Sequence, residues 1–316
     1  MSLESIANQR LSILRDRAAM LARARTFFSE RNVLEVDCPL LTNGASVDAH
    51  IDLIPAFYQG NTTRYLHSSP EYGMKRLIVE GMGDIYQLAH VFRDGEHGYR
   101  HNPEFCMAEW YRMGIAFEEM IAETLDFIRL FLGPLPSKTY SYRQLFQELG
   151  LDYRTATEET LQGFLNERSF HGFENENKEG LLNLVLGLII EPQLGKEELS
   201  VLAYYPASQA ALAKTEQRED EQVALRFEIY YRGVELCNGY SELPHAEEQR
   251  ERFELANAER LRLGKQALPI DEFFLKALHQ GLPECCGVAV GFDRLMMLRH
   301  QVSSLSEVLS FDWLLA

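Results

Sequence analysis

Arg93 and Phe105 stand at the two ends of Arg93-Asp94-Gly95-Glu96 through His101-Asn102-Pro103-Glu104-Phe105, an arginine after one strand and a phenylalanine on the return. A guanidinium there can fork onto a phosphate while the ring offers a base a stacking plane. The same spacing also describes a plain surface hairpin with one ion pair and one core phenylalanine. Glu228 and Glu235 form a second group. A two-residue loop at Tyr231-Arg232 places them opposite one another across a hairpin, where like charges repel unless a hard cation such as Mg2+ lies between them. Two exposed glutamates on a splayed hairpin are the plainer alternative. Asn238, Tyr240 and Glu242 share one strand face, and an amide, a ring and a carboxylate suit a cationic amine. Glu235 has the other parity and joins them only if a bulge lies between 235 and 238. Arg294, behind a glycine-containing turn, can aim at a phosphate or stack on a purine, or be an ordinary surface arginine. Glu71 completes Ser68-Ser69-Pro70-Glu71, a capping-box pattern, so its first expected role is to cap a helix. No Ser/His/Asp or Cys/His arrangement is recognisable, and His97 and His101 are too close in a loop for a helical metal pair.

Apolar periodicity indicates what positions these residues. Ile13, Leu14, Met20, Leu21, Ala24, Phe27 and Phe28 recur at helical spacing, which predicts a helix over about 8–30 closed by Asn32. A strand follows at 33–36, with Pro39 at an edge or bend. A short strand at 65–67 and a helix entered at Ser68 lead to a hairpin of strands at 85–92 and 105–112 around a polar tip. The helix at 117–132 is broken by Pro134 and Pro136. Residues 137–222 read as short helices and polar turns without evident chemistry, so about 115–222 is expected to be a mostly helical insertion in a single domain spanning 1–316. A hairpin of 224–230 with 234–240, a charged helix at 247–263, and a strand, small-residue turn and helix over 287–298 complete the chain. Antiparallel hairpins separated by helices make the fold class α+β with a mainly antiparallel sheet. Gly287 and Gly291 are spaced unlike a dinucleotide fingerprint or a P-loop.

The 316 residues carry 31 Lys and Arg against 47 Asp and Glu, a net charge of -16, which argues against holding nucleic acid by broad phosphate neutralisation. The early arginines, Arg10 to Arg31, read as a solvated helix face. With 46% hydrophobic residues the chain is an ordinary globular one. Five cysteines without paired spacing are expected to be reduced core thiols. Residues 1–10 contain no apolar signal core, and the apolar run at 181–190 is about half a membrane span. The expected compartment is the cytoplasm.

Together these pieces resemble the motifs of class II aminoacyl-tRNA synthetases. The first helix and strand with Pro39 resemble motif 1, Phe92-Arg93 to Phe105 motif 2, and Gly287 to Arg294 motif 3. Ser69-Pro70-Glu71-Tyr72, His101-Asn102-Pro103-Glu104-Phe105, Glu109-Trp110-Tyr111 and Glu235-Leu236-Cys237-Asn238-Gly239-Tyr240-Ser241-Glu242-Leu243 are similar to the lysyl-tRNA synthetase catalytic domain, as is Gly287-Val288-Ala289-Val290-Gly291-Phe292-Asp293-Arg294. The motif 1 helix begins near Asn8, too early to follow an anticodon-reading OB-fold of roughly 100 residues, so a freestanding catalytic domain is expected. Ala289, at the middle glycine position of the synthetase motif 3, and Pro206-Ala207-Ser208-Gln209 resemble the paralogous family that ligates (R)-β-lysine to elongation factor P.

That resemblance implies ATP-dependent activation of (R)-β-lysine as an aminoacyl-adenylate and ligation to a lysine of elongation factor P. It implies ATP and Mg2+ as cofactors, β-lysine supplied by an aminomutase and a homodimer through motif 1; the sequence itself indicates no membrane partner, and its charge argues against a nucleic-acid one. Arg93 would neutralise the α-phosphate, Phe105 and Arg294 would sandwich the adenine, and Arg294 with His101 would reach the γ-phosphate. Glu228 and Glu235 would hold Mg2+, Glu228 thereby also serving the ATP site. Ser69, Glu71, Glu109, Tyr111, Asn238, Tyr240, Glu242 and Ala289 would line the amine substrate, with the distal ammonium on Glu242 and Tyr111. Gly95 departs from the family glutamate two residues after the motif 2 arginine, and Glu96 beside it is the candidate substitute. A ligase charging tRNA or another acceptor, and an inactive synthetase-like regulatory protein, are the alternatives.

Overall fold

In the computed structural model, which describes residues 3–44 and 46–316, the chain divides into two compact units, Met1–Gly133 with Ser241–Ala316 and Pro134–Tyr240. The first unit opens with α1 (Leu3–Ser29), which starts earlier than its apolar row. Met20, Ala24, Phe27 and Phe28 of that row are buried. Asn32 then turns the chain with a left-handed backbone, φ 57°, which a short amide side chain tolerates. Next come β1 (Leu34–Glu35), β2 (Leu41–Thr42), β3 (Pro55–Tyr58), β4 (Thr62–Leu66) and α2 (Glu71–Val79). The expected hairpin is β5 (Ile85–Phe92) with β6 (Glu104–Met113), followed by α3 (Phe117–Leu132). Phe127 of α3 lies 5.4 Å from Phe28 and 5.2 Å from Trp110 between ring centroids, so aromatic packing ties both helices to the sheet.

The second unit holds β7 (Ser137–Ser141), α4 (Tyr142–Glu148), α5 (Glu158–Asn166), α6 (Lys178–Val185), β8 (Leu199–Pro206), β9 (Thr215–Arg218), β10 (Glu221–Tyr231) and β11 (Val234–Ser241). Its strands run in the order β11-β10-β8-β7, with β9 beside β10, and only β7 and β8 pair in parallel. Tyr142, Phe146, Leu161, Leu181, Leu202 and Tyr205 are part of its own core. Short helices and turns were expected here, and three strands were missed. β8 is buried along nearly its whole length, and a strand covered on both faces shows no alternation to read. The expected insertion, about 115–222, overlaps this unit without sharing its ends, because α3 belongs to the first unit and the β10–β11 hairpin to the second.

The chain then returns to the first unit through α7 (Ala246–Arg262), α8 (Glu272–Gly281), β12 (Cys285–Gly291) and α9 (Phe292–Arg299). There the main strands run β1-β5-β6-β12, with β1 parallel to β5, and β2-β4-β3 form a small antiparallel sheet. Helix α8 was not anticipated. Asp271 caps it by accepting from the Phe273 and Phe274 amides, and Phe274 stacks on Tyr72 of α2 at 4.2 Å. The architecture is α+β, a mainly antiparallel sheet flanked by helices. All five cysteines are buried and free. Among the described residues no helix is long and apolar enough to cross a membrane.

Candidate active site

The register of the main sheet of the first unit lays a site along one of its faces. Alternation puts Phe105, Met107, Glu109 and Tyr111 of β6 on that face, and β12 sets Gly291 beside Met107, Ala289 beside Glu109 and Gly287 beside Tyr111. Phe105 and Tyr111 are roughly 20 Å apart at a rise of about 3.4 Å per residue. One end is cationic and aromatic, the other acidic.

At the cationic end the Arg93 amide donates to the Pro103 carbonyl and closes the tip of the hairpin. The guanidinium lies 5.1 Å from the Phe105 ring centroid and 3.7 Å from Glu96 Oε1, and its Nε is buried without a hydrogen-bond partner. Gly95 has φ 75°, a left-handed backbone that would strain a glutamate, so Glu96 is the carboxylate that turns back to Arg93. Arg294, in the first turn of α9, donates to His101 Nε2 at 2.9 Å. Burial, then the Arg294 charge, lowers the His101 pKa, which keeps the ring neutral and its Nε2 an acceptor.

At the acidic end the capping expectation for Glu71 is corrected. Pro70 occupies the N-cap of α2, Ser69 Oγ accepts from the Glu71 amide at 3.0 Å, and the Glu71 carboxylate turns inward to Lys75 Nζ at 2.6 Å. A charged partner one turn along the helix, away from water, outcompetes the backbone donor. Lys75 is 1% exposed and also lies 2.5 Å from Glu242 Oε2. Glu109 accepts from Ser69 Oγ and from the Tyr111 hydroxyl, both at 2.7 Å. Burial, with Glu71 adding like-charge repulsion, pushes Glu109 up to about 7. Burial likewise pushes Glu242 up to about 8 against the pull of Lys75. For Lys75 burial works against the charge, but Glu242 and Glu71 outweigh it and raise the pKa. A Cβ on Gly287 would collide with the Tyr111 ring and the Glu242 carboxylate, so glycine is what lets these two meet.

The second unit carries a different acidic cluster. Glu228 and Glu235 are not opposite one another, contrary to expectation. Arg232 and Gly233, both left-handed at φ 52° and 65°, make the turn one residue later, so Tyr231 pairs with Val234 and Tyr230 with Glu235. A bulge then leaves Leu236 unpaired and sets Glu228 opposite Asn238. This bulge is the one that the parity argument required, and it brings Glu235 into phase with Asn238 and Tyr240. Glu228 Oε2 accepts from Tyr205 at 2.6 Å and from Tyr230, and Oε1 accepts from Arg226 at 2.6 Å. Arg226 also donates to the Gln209 carbonyl at 3.0 Å and lies 4.4 Å over the Tyr205 ring. Tyr240 stands opposite Arg226 and packs against the apolar core of the unit, while Asn238 Oδ1 is buried without a partner.

This donor set decides what Glu228 can offer a cation. Both lone pairs of Oε2 are taken and Oε1 keeps one, so Glu228 can give one oxygen and Glu235, on the same face, another. Two hard carboxylate oxygens fit Mg2+ when its other ligands are waters and phosphates. Among the described residues no group of three or more His, Cys, Asp or Glu side chains suits a metal ion. Sequence reasoning missed Lys75, Tyr205, Tyr230 and the crowding at Gly287.

Residues 2–313 match the family described as tRNA synthetases class II (D, K and N). The chain is 42% identical over 301 residues to the elongation factor P--(R)-beta-lysine ligase of Haemophilus influenzae Rd, covering 93% of each chain. It is 42% identical over 308 residues to the ligase of that name from Avibacterium paragallinarum, covering 96% of this chain and 95% of the relative. For the Erwinia tasmaniensis protein of that name the identity is 41% over 315 residues, with 97% and 95% covered.

Proposed function

The chain belongs to the class II tRNA synthetases of the D, K and N group, and on that premise we propose that it activates (R)-β-lysine with ATP and ligates it to a lysine side chain of elongation factor P. The observation that carries this reading is the cluster of Glu71, Glu109 and Glu242, three buried carboxylates at one end of a face whose other end presents Arg93, Phe105, His101 and Arg294. Two ammonium groups suit the first end. A triphosphate and a purine suit the second, where the unpartnered Arg93 Nε awaits an acceptor.

The chemistry follows from placement. With its amines held at the acidic end, the substrate extends its carboxylate toward Arg93. That carboxylate attacks the α-phosphorus, pyrophosphate departs, and the lysine amine of elongation factor P then attacks the mixed anhydride and releases AMP. Arg93 neutralises charge on the α-phosphate, Arg294 and His101 hold the γ-phosphate, and Phe105 with Arg294 sandwiches the adenine. Glu96 takes the place of the carboxylate absent at Gly95. Glu228 and Glu235 would hold Mg2+, which supplies charge neutralisation on the phosphates. Ser69 fixes Glu109 and Ala289 lies beside it on the same face, while in the second unit Asn238, with its unpartnered amide oxygen, and Tyr240 would be the candidates for an amine. No nucleophilic side chain is needed, because positioning and electrostatics carry the reaction.

The amine on the β carbon requires an aminomutase acting on α-lysine to supply the substrate. The protein would work in the cytoplasm as a homodimer built on residues near 8–40, with Pro39 close to the axis. Sedimentation tests the dimer, and a monomer at micromolar concentration rejects it. Amino-acid-dependent pyrophosphate exchange tests the activity, with β-lysine preferred over α-lysine. Arg93→Ala and Arg294→Ala should each abolish exchange while leaving the thermal unfolding midpoint nearly unchanged. Transfer to tRNA in place of elongation factor P would move the chain to the synthetase reading, and absence of exchange with any amino acid would make it a regulatory protein.

A further inference from the structure

Lys75 has no part in the steps above, yet its ammonium is buried in the centre of the amine pocket, 2.6 Å from Glu71 and 2.5 Å from Glu242. The groups facing it come from every element around the pocket. Helix α2 supplies Glu71, β6 supplies Glu109 and Tyr111, the segment after β11 supplies Glu242, and the Tyr111 and Phe274 rings lie 5.9 Å from Nζ. The Cys38 thiol, which interacts with Glu109, and the Tyr72 hydroxyl, which interacts with Glu71, also lie close, and burial raises the pKa of both, that of the thiol to about 11. With every carboxyl deprotonated, three carboxylates against one ammonium leave two negative charges without a counter-charge.

We propose that Lys75 is a positioning residue that sets the charge of the amine pocket. Its ammonium, held between Glu71 and Glu242, offsets one of the three carboxylate charges, so that the fully deprotonated cluster carries an excess of two negative charges, the number that a diammonium substrate balances. A substrate with one amine would leave a buried carboxylate unpaired, so Lys75 makes the pocket selective for two amines by counting charge. The inference rests on the amine-activating function proposed above.

The test reads KM for β-lysine in pyrophosphate exchange as a function of pH. Glu109 and Glu242, pushed up to about 7 and about 8, must lose their protons to receive ammonium groups, so in the wild type KM falls as pH rises through that range. In Lys75→Met the carboxylates repel without a counter-charge and hold protons to higher pH. The fall in KM should therefore move up by roughly one unit or more, with KM for β-lysine raised roughly tenfold or more near neutral pH and KM for ATP unchanged. Lys75→Arg keeps the charge and should keep the wild-type midpoint. A folded Lys75→Met enzyme with the wild-type profile overturns the proposal.

If the Met variant does not fold, calorimetry on the wild type takes its place. Binding of β-lysine near pH 7.5, compared in two buffers of different ionisation enthalpy, should release about one proton; none, or two or more, overturns the charge count. A wild-type protein without exchange would remove the ligase reading and leave the pocket testable. The same calorimetry with 1,4-diaminobutane, which has the amine spacing of β-lysine, and butylamine should then show the diamine binding roughly tenfold or more tightly, with proton release. Equal binding of the two amines overturns the proposal.

Discussion

Around Lys75 three buried carboxylates share one ammonium, whereas around Glu228 one buried carboxylate receives a guanidinium and two phenolic hydroxyls. The first cluster has more acceptors than donors, and burial pushes two of its acids up to about 7 and about 8. The second is complete within its own unit except for one lone pair on Oε1. Burial is tolerated for a charge only when something pairs it, so the same residue type acquires two different uses. Surplus acid makes a site that is stabilised when a cation arrives. Surplus donors make a fixed support whose carboxylate is oriented before any ligand arrives.

Glu242→Gln breaks the contrast most strongly. The neutral isostere fills the same volume, yet the ammonium of the substrate loses its counter-charge in a dry site. At about 3 kcal/mol for one lost partner of a buried pair, KM for β-lysine should rise on the order of a hundredfold. KM for ATP should not change, since the proposed triphosphate contacts, Arg93 and Arg294, are at the other end of the face. An unchanged KM for β-lysine would show that the surplus acid has no role in binding.

Glu109→Gln reads the surplus directly as stability. A carboxyl whose folded pKa is raised from 4.5 to about 7 favours the folded state while protonated, and that contribution is lost as pH rises through the folded value. The amide that replaces it cannot titrate. Whatever its constant offset, the variant should therefore gain stability relative to the wild type as pH goes from about 5 to about 8, measured as the difference in unfolding free energy. Saturating β-lysine should remove the difference in slope. A constant difference across that range would place an ordinary, well-paired carboxylate at 109.

How far this contrast could be read in the sequence depended on whether the signal was local. β5 and α3 were legible to the residue because alternation, helical period and flanking breakers agree there. The β11 bulge was legible as a condition, since residues 235 and 238 have opposite parity and only one unpaired residue reconciles them. Lys75 was not legible. Beside Arg76 it looks like half of a solvated basic pair, and only the packing of α8 over α2, through Tyr72 and Phe274, takes it out of water. Tyr205 was hidden in the apolar run of β8, and its hydroxyl acquires a purpose only when β10 brings Glu228 beside it. Gly287 was noted for failing two phosphate motifs, while its reason is a steric one, the meeting of Tyr111 and Glu242.

Ala289 sharpens the boundary of the acidic cluster. It sits opposite Glu109 on β12 and packs with Phe105 against Ala89, Val91 and Met107, between the two ends of the face. On the substrate placement proposed above, a methyl group there would crowd the carboxylate end of the substrate, and moving the amine from the α to the β carbon would relieve that crowding. Ala289→Gly should therefore improve α-lysine relative to β-lysine by roughly 1 to 3 kcal/mol in the ratio of kcat/KM values, with ATP affinity unchanged. An unaltered ratio would mean that the preference is set by the placement of charge alone.

Tyr205→Phe is the mildest of these changes and addresses the other side of the comparison. It removes one of the three donors to Glu228 and keeps the ring that lies 4.4 Å from the Arg226 guanidinium and 5.4 Å from Tyr142. Tyr230 still donates to Oε2 and Arg226 to Oε1, so no buried charge is left unpaired. The expected loss is that of a single hydrogen bond to a charged acceptor, about 1.5 kcal/mol in chemical denaturation, with KM for β-lysine unchanged. The lone pair freed on Oε2 also makes Glu228 a better cation ligand, so half-saturation by Mg2+ should move to lower concentration if this carboxylate holds the metal. A rise in KM for β-lysine as large as that of Glu242→Gln would show that the two clusters act as one, and that donor-rich and acceptor-rich carboxylates here do not have separate uses.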